Sequence, residues 1–200
     1  FKIRLIFDGE NGEQEYGGDF KSSKKKFDNK DAIKFWFSNY DISYWLKRGF
    51  DKKDLRIFIP PSQKELKTSK IERHFWSYYF NWNPQAHYYY SARNTKFMPN
   101  RERSEGTYSK YASLDDKFDG FHFYFMFLKF GIGRTTSDAC QEIRNGYMTR
   151  KEGVKLVNKY DGEFPKKYYK EFLEFCSLKE SDFKKICDKW RSKKIWKRKN

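Results

Sequence analysis

Two hundred residues with 43 Lys and Arg against 27 Asp and Glu carry a formal net charge of +16, and a chain of this length can bury a sizeable core as one domain or two small ones. Aromatic residues supply 21% of the sequence while Val occurs only at Val154 and Val157, which argues against a strand-rich sandwich or barrel and against bulk disorder. No run approaches the roughly 18 apolar residues of a membrane span and no signal peptide is evident, so the expected compartment is the cytoplasm; Cys140, Cys176 and Cys187 lack CxxC spacing and support neither a disulfide framework nor a zinc knuckle.

The chain begins Phe1-Lys2 rather than with Met and is read as a fragment lacking an N-terminal portion. Residues 2–7 predict a buried strand that stops at Asp8-Gly9. Ligands of open α/β sheets bind beyond the carboxyl ends of strands, which makes the next loop, from Gly9 to Gly18, a place where chemistry is expected. Gly9, Gly12, Gly17 and Gly18 permit close backbone approach, and Glu10, Glu13 and Glu15 supply carboxylates. Carboxylates suit a bound anion only when a divalent cation such as Mg2+ bridges the two; the alternative is an acidic glycine-rich turn. A basic run, 24–26, follows. Residues 31–49 carry a helical pattern closing at Gly49, Asp51 to Leu55 predicts a helix start, and Ile57-Phe58-Ile59 stops at Pro60-Pro61. From Ser62 to Tyr79 the pattern is again mostly helical. The aromatic stretch 75–100 fits neither period, with Pro84 expected to break a helix, and 93–113 is expected to be loop.

The second half is punctuated clearly. Ser113 with Asp116 predicts a cap for a helix running to Phe130, and Thr136 or Ser137 one for a helix stopping at Gly146. Thr149 with Glu152 forms a capping-box pattern, Pro165 suggests a first helical position, and Ser177 with Glu180 predicts the cap of the last helix. Two further groups could carry chemistry. In Lys129-Phe130-Gly131-Ile132-Gly133-Arg134 two cations flank a turn leading into a helix N-terminus, where backbone N–H groups favour phosphate; the alternative is a helix connector with surface charges. Trp82, Gln85, Tyr88, Tyr89 and Tyr90 suit either a sugar ring or the core. His74, His87 and His122 show no metal-ligand spacing. The positive charge, concentrated over 179–200, favours anionic partners, and a basic nucleic-acid-binding module is the competing class.

Several strings carry a resemblance. The loop from Gly9 to Gly18 resembles the acidic glycine loop of PP-loop ATP pyrophosphatases, including the synthetase domain of asparagine synthetases. More closely, WNPQ (82–85), YYY (88–90), EGTYSKYASLDDK (105–117), DGFH (119–122), KFGIGRTTSDA (129–139), QEIRNG (141–146), TRKEG (149–153) and KYDGEFP (159–165) are similar to the N-acetyl sugar amidotransferases of bacterial lipopolysaccharide O-antigen and flagellin-glycan biosynthesis. The resemblance implies the C-terminal part of a PP-loop, adenine nucleotide alpha hydrolase-like α/β domain, here mostly α-helical with one clear N-terminal strand. Residues 1–60 would end the nucleotide-binding domain and 61–200 would form a mostly helical substrate region. It implies an ATP-dependent transferase that activates the oxygen of a sugar N-acetyl group, releasing pyrophosphate. Ammonia from a separate glutaminase subunit, similar to that of imidazole glycerol phosphate synthase, then gives an acetamidino group and AMP. On that reading Glu10, Lys129 and Arg134 are catalytic. Gly9, Glu10, Asn11, Gly17, Gly18, Lys129, Gly131, Gly133 and Arg134 hold ATP, and Glu10 and Glu13 hold Mg2+. Trp82, Gln85, Tyr90, Thr107, Ser109 and Lys110 line a pocket for the sugar or nucleotide sugar. The family's SGGxDS phosphate loop and its upstream cysteines, which look zinc-binding, have no counterpart in residues 1–200. Zinc is therefore expected only in the missing part, and nucleic acid is not the expected partner.

Overall fold

The structure, a computed structural model, describes residues 3–9 and 40–197. The glycine loop beyond Gly9, the basic run 24–26 and the 31–39 half of the first expected helix lie outside the described residues. The chain divides into two compact units, Phe1–Trp82 and Asn83–Asn200, so the division falls at 82/83 where the sequence suggested 60/61. The described residues are mostly helical, with eight α-helices and one pair of short parallel strands.

In the first unit, β1 (Leu5–Asp8) pairs in parallel with β2 (Glu72–Phe75), Leu5 opposite Glu72 and Asp8 opposite Phe75. The expected strand forms, but it is not buried: Leu5, Ile6 and Phe7 are each about half exposed, because among the described residues only β2 flanks it. Helix α1 (Ile42–Leu46) starts at Asp41, whose carboxylate accepts from the Ser43 N–H at 2.9 Å. The stretch from Asp51 to Leu55 forms turns leading into a 3-10 turn at Arg56–Phe58 rather than a helix. A capping box between Ser62 and Glu65 opens α2 (Gln63–Ser69). The expected helix over 62–79 is corrected: Lys70 takes a left-handed φ of 53° and ends α2, after which the chain pairs with β1. That pairing spans more than sixty residues of sequence, beyond the reach of any local period.

In the second unit, Pro84 opens a helix instead of breaking one. Asn83 accepts from the Ala86 N–H at 2.9 Å, and proline occupies the first turn of α3 (Pro84–Asn94), where its missing N–H costs nothing. The loop that follows is pinned by its own backbone, Asn100 N to Lys110 O and Ser104 N to Ser109 O, both at 2.9 Å. Helix α4 (Asp119–Phe130) is prepared by Asp116, which accepts from the Phe118 N–H at 2.7 Å, and by a hydrogen bond between Ser113 and Asp119. Helix α5 (Arg134–Arg144) is not capped by Thr136 or Ser137: its N-cap is Gly133, and the capping carboxylate comes from Asp161. The Thr149–Glu152 capping box does open α6 (Arg150–Tyr160). Pro165 starts no helix; it packs where a Cβ on Gly120 would stand 3.0 Å away, and α7 begins later (Tyr169–Phe175). The Ser177 cap for α8 (Glu180–Trp190) is absent as well. Ser177, at φ 53°, closes α7 instead, with Leu178 N bonded to Leu173 O at 2.9 Å.

The core of this unit is aromatic. Phe121, Leu128, Phe183 and Cys187 are buried together, with Phe118, Phe164, Tyr169 and Phe172 packed against them. Phe121 stacks on Phe172 at 4.0 Å between centroids. Beside it α5 packs on α6, at a spacing Gly153 permits, since a Cβ there would stand 2.9 Å from Ile143. Among the described residues no helix is long and apolar enough to cross a membrane.

Candidate functional site: a basic cleft in the second unit

The loop 100–107, the start of α4, Arg134 and the segment 165–168 enclose a cleft of about 700 Å³. Its walls are built from charge pairs. Arg103 donates to both oxygens of Glu163 at 2.6 Å, and to the carbonyl of Thr107 at 3.2 Å, while its guanidinium lies 4.5 Å from the centre of the Tyr160 ring. Glu163 also accepts from the Gly106 N–H at 2.8 Å, where the loop turns through φ 81°. Glu105 reaches across the cleft and accepts from the N–H of Lys166 at 2.9 Å. The loop is therefore a preformed wall, fixed by a two-pronged ion pair.

Behind that wall lies a second network. Thr107, almost fully buried, donates its hydroxyl to Asp138 at 2.6 Å, and buried Thr135 donates to the Gly106 carbonyl at 2.7 Å. Arg134 Nε meets the other Asp138 oxygen at 2.9 Å and its guanidinium lies over the Phe123 ring. Burial pushes the Asp138 carboxyl above its ordinary pKa, opposed by Arg134 and by the Thr107 hydroxyl. Glu163 shifts the other way, held low chiefly by its hydrogen bond with Arg103.

Those opposite directions fix a pH dependence. A carboxylate whose folded pKa is depressed stabilises above its unfolded pKa and loses that contribution as pH falls through the folded value. Acid unfolding of the second unit, followed by circular dichroism below the ordinary glutamate pKa of 4.5, is therefore expected to be blunted in Glu163→Gln. Asp138 acts in the opposite sense, favouring the folded state as it takes up its proton. An identical acid limb in the variant would remove Glu163 from the account.

The structure distributes the residues singled out in the sequence. Thr107 and Arg134 both line the cleft and meet through Asp138. Ser109 is buried and accepts from the Tyr111 N–H at 3.2 Å, while Lys110 is exposed; neither lines the cleft. Gln85 sits in the first turn of α3, and Tyr90 projects from that helix. Of the aromatic belt it is Tyr88 that packs, stacked on Tyr111 at 4.4 Å. Trp82 closes the first unit. Gly9 follows β1 at its carboxyl end, and Glu10, Asn11, Glu13, Gly17 and Gly18 lie outside the described residues.

In residues 129–136 the N-terminus of α5 already holds a carboxylate of the chain itself. Asp161 already accepts from the N–H groups of Gly133 at 2.9 Å and Thr136 at 3.1 Å, and from the Thr136 hydroxyl. A Cβ on Gly133 would stand 2.7 Å from that carboxylate, so glycine serves the cap. Gly131 makes the left-handed turn at φ 75° that ends α4. Lys129 stands by the rings of Trp190 and Phe130, whereas Arg134 pairs with Asp138. Among the described residues no three His, Cys, Asp or Glu side chains group to hold a metal ion.

Residues missed at the sequence level are the ones that fix the cleft. Asp138 stands four residues after Arg134 and could have been read as its helical partner. Asp161 and Glu163 lie inside a string already singled out, but their partners are 25 and 60 residues away.

The second unit thus holds a cleft walled by its own ion pairs. Residues 105–200, from the cleft rim through the last helix, match the family model described as LPS biosynthesis protein WbpG-like, C-terminal domain. No curated protein matches the chain.

Proposed function

We propose that this chain is the C-terminal part of an ATP-dependent amidotransferase that converts a sugar N-acetyl group to an acetamidino group in surface-glycan biosynthesis, and that the cleft of the second unit receives the sugar substrate in nucleotide-activated form. The observation that carries the reading is the lining of the cleft: the cations Arg101, Arg103, Lys117, Arg134 and Lys167 outnumber the carboxylates Glu102, Glu105 and Asp116, and Phe123 and Tyr168 add ring faces. Cations suit the diphosphate of a nucleotide sugar, and rings suit the apolar face of a pyranose. The match of residues 105–200 to a lipopolysaccharide biosynthesis family supports the same direction.

An amide oxygen leaves poorly, and ATP would supply the activation that turns it into a phosphate ester, with ammonia from a glutaminase subunit displacing AMP. Among the sequence candidates, Glu10, Glu13 and the loop glycines remain the proposed holders of Mg2+ and ATP. Arg134 and Thr107 are assigned to the substrate cleft.

The test uses the full-length protein that carries this chain, with ATP, ammonium and a UDP-activated N-acetyl sugar. The expected result is AMP and pyrophosphate in equal amounts, with a sugar product in which NH has replaced the amide oxygen by mass. Unaltered sugar alongside tight, salt-sensitive RNA binding would move the protein to the competing nucleic-acid class.

A further inference from the structure

The face formed by the end of α4 and the C-terminal tail has no role in the cleft. Residues 192–196 fold back on the last turn of α4: Ser192 N and Trp196 Nε1 both donate to the Leu128 carbonyl, at 3.1 and 2.8 Å, and Trp196 packs on Phe127 at 4.8 Å between rings. Ile195 lies over Gly131, where a Cβ would meet it at 3.1 Å. The fold-back gathers apolar groups that remain in solvent: Phe130 is 56% exposed, Trp190 51%, Ile132 46% and Ile195 45%.

Lysines surround these groups. Lys129 Nζ stands 4.9 Å from the Trp190 ring centre and 5.1 Å from that of Phe130, and Lys189 reaches Trp190 from its own helix at 5.9 Å. Lys193, Lys194 and Lys197 are exposed along the tail. The sequence from Lys189 to Lys197 contains no Asp or Glu. Asp188, the carboxylate before it, faces Arg191 at 3.9 Å. None of these lysines has a salt bridge to a described carboxylate.

We propose that this face docks the protein on an anionic lipid bilayer. Lysine stems lie along apolar surface while their ammonium groups stay in water, and tryptophan favours the headgroup level. Exposed isoleucine and phenylalanine amid exposed lysines match the make-up of interfacial membrane contacts, in which shallow apolar burial and attraction to anionic lipid act together. A protein partner fits less well, because interface cores are depleted in lysine. RNA fits less well too: base stacking needs free ring faces, and here Lys129 stands over Trp190 while two of the four apolar groups are aliphatic.

The experiment is flotation of the purified protein with vesicles of phosphatidylglycerol and phosphatidylcholine in equal parts, and with phosphatidylcholine alone. Binding is expected to the anionic vesicles only and to weaken with added salt. The double variant Lys193→Gln/Lys194→Gln, at two exposed positions, is expected to weaken it by roughly thirtyfold, about fivefold per lysine. Trp190→Ser should reduce binding with charge unchanged, and far-ultraviolet circular dichroism establishes that each variant is folded. Equal binding to neutral vesicles, or no loss in the lysine variant, would overturn the proposal. So would retention on RNA or on a purified glutaminase subunit by a protein that ignores anionic vesicles.

Discussion

Arg134→Ala is expected to destabilise the second unit by about 3 kcal/mol and to abolish turnover of the full-length protein. The reason lies in what remains behind. Asp138 is largely buried, keeps the Thr107 hydroxyl as its partner among the described residues, and already has its pKa raised by burial. Losing the guanidinium strands a carboxylate inside the protein or forces it to bind a proton. Loss of activity in this variant alone would therefore not show that Arg134 touches substrate. The informative partner is Arg134→Ala/Asp138→Asn, whose neutral amide no longer needs a cation. Thermal unfolding of the double variant is expected to recover most of the lost stability. If turnover returns with the fold, Arg134 acts only as a structural counter-charge; if stability returns without turnover, the guanidinium serves the substrate.

Phe121→Ala is the second large effect, about 3–5 kcal/mol, enough to unfold a marginal unit outright. Phe121 is 1% exposed, stacks on Phe172 and meets Phe183 edge-on. Removing the ring takes a keystone from an aromatic cluster, and the surroundings of such a cavity relax only in part. Because Phe121 also lines the cleft, Phe121→Leu is expected to keep the fold at reduced thermal stability while changing the affinity for substrate. A Phe121→Ala protein that melts within a few degrees of the parent would show that the cluster is looser than its packing implies.

Much of the second unit was legible in the sequence because its signals are local. The Thr149–Glu152 capping box, the glycine turn at 131 and the basic run after Trp190 each declare themselves within a few residues. What misled was punctuation with two readings. Pro84 can end a helix or begin one, and Asn83 just before it decided the matter. Ser177 is a plausible cap by composition, yet it serves the preceding helix through a left-handed turn. The Gly131–Gly133 segment looked like a phosphate loop because glycines before a helix N-terminus do suit an anion; an anion does sit there, but it is the carboxylate of Asp161. In the first unit β2 was invisible because its partner lies far away in the chain, and a string of aromatics masks a two-residue alternation. Glu163 could not be found without Arg103, for the same reason of distance.

Asp161, Gly162 and Glu163 are three consecutive residues with three separate errands. The first caps the start of α5, the second passes under Phe127 so tightly that a Cβ would stand 2.1 Å from the ring, and the third grips Arg103. A short peptide thus acts as a shared hinge pin, and a backbone shift at any one attachment bears on its immediate neighbours. Mutational costs within the triplet are not expected to sum, and the Arg103 wall of the cleft is tied through this peptide to the start of α5.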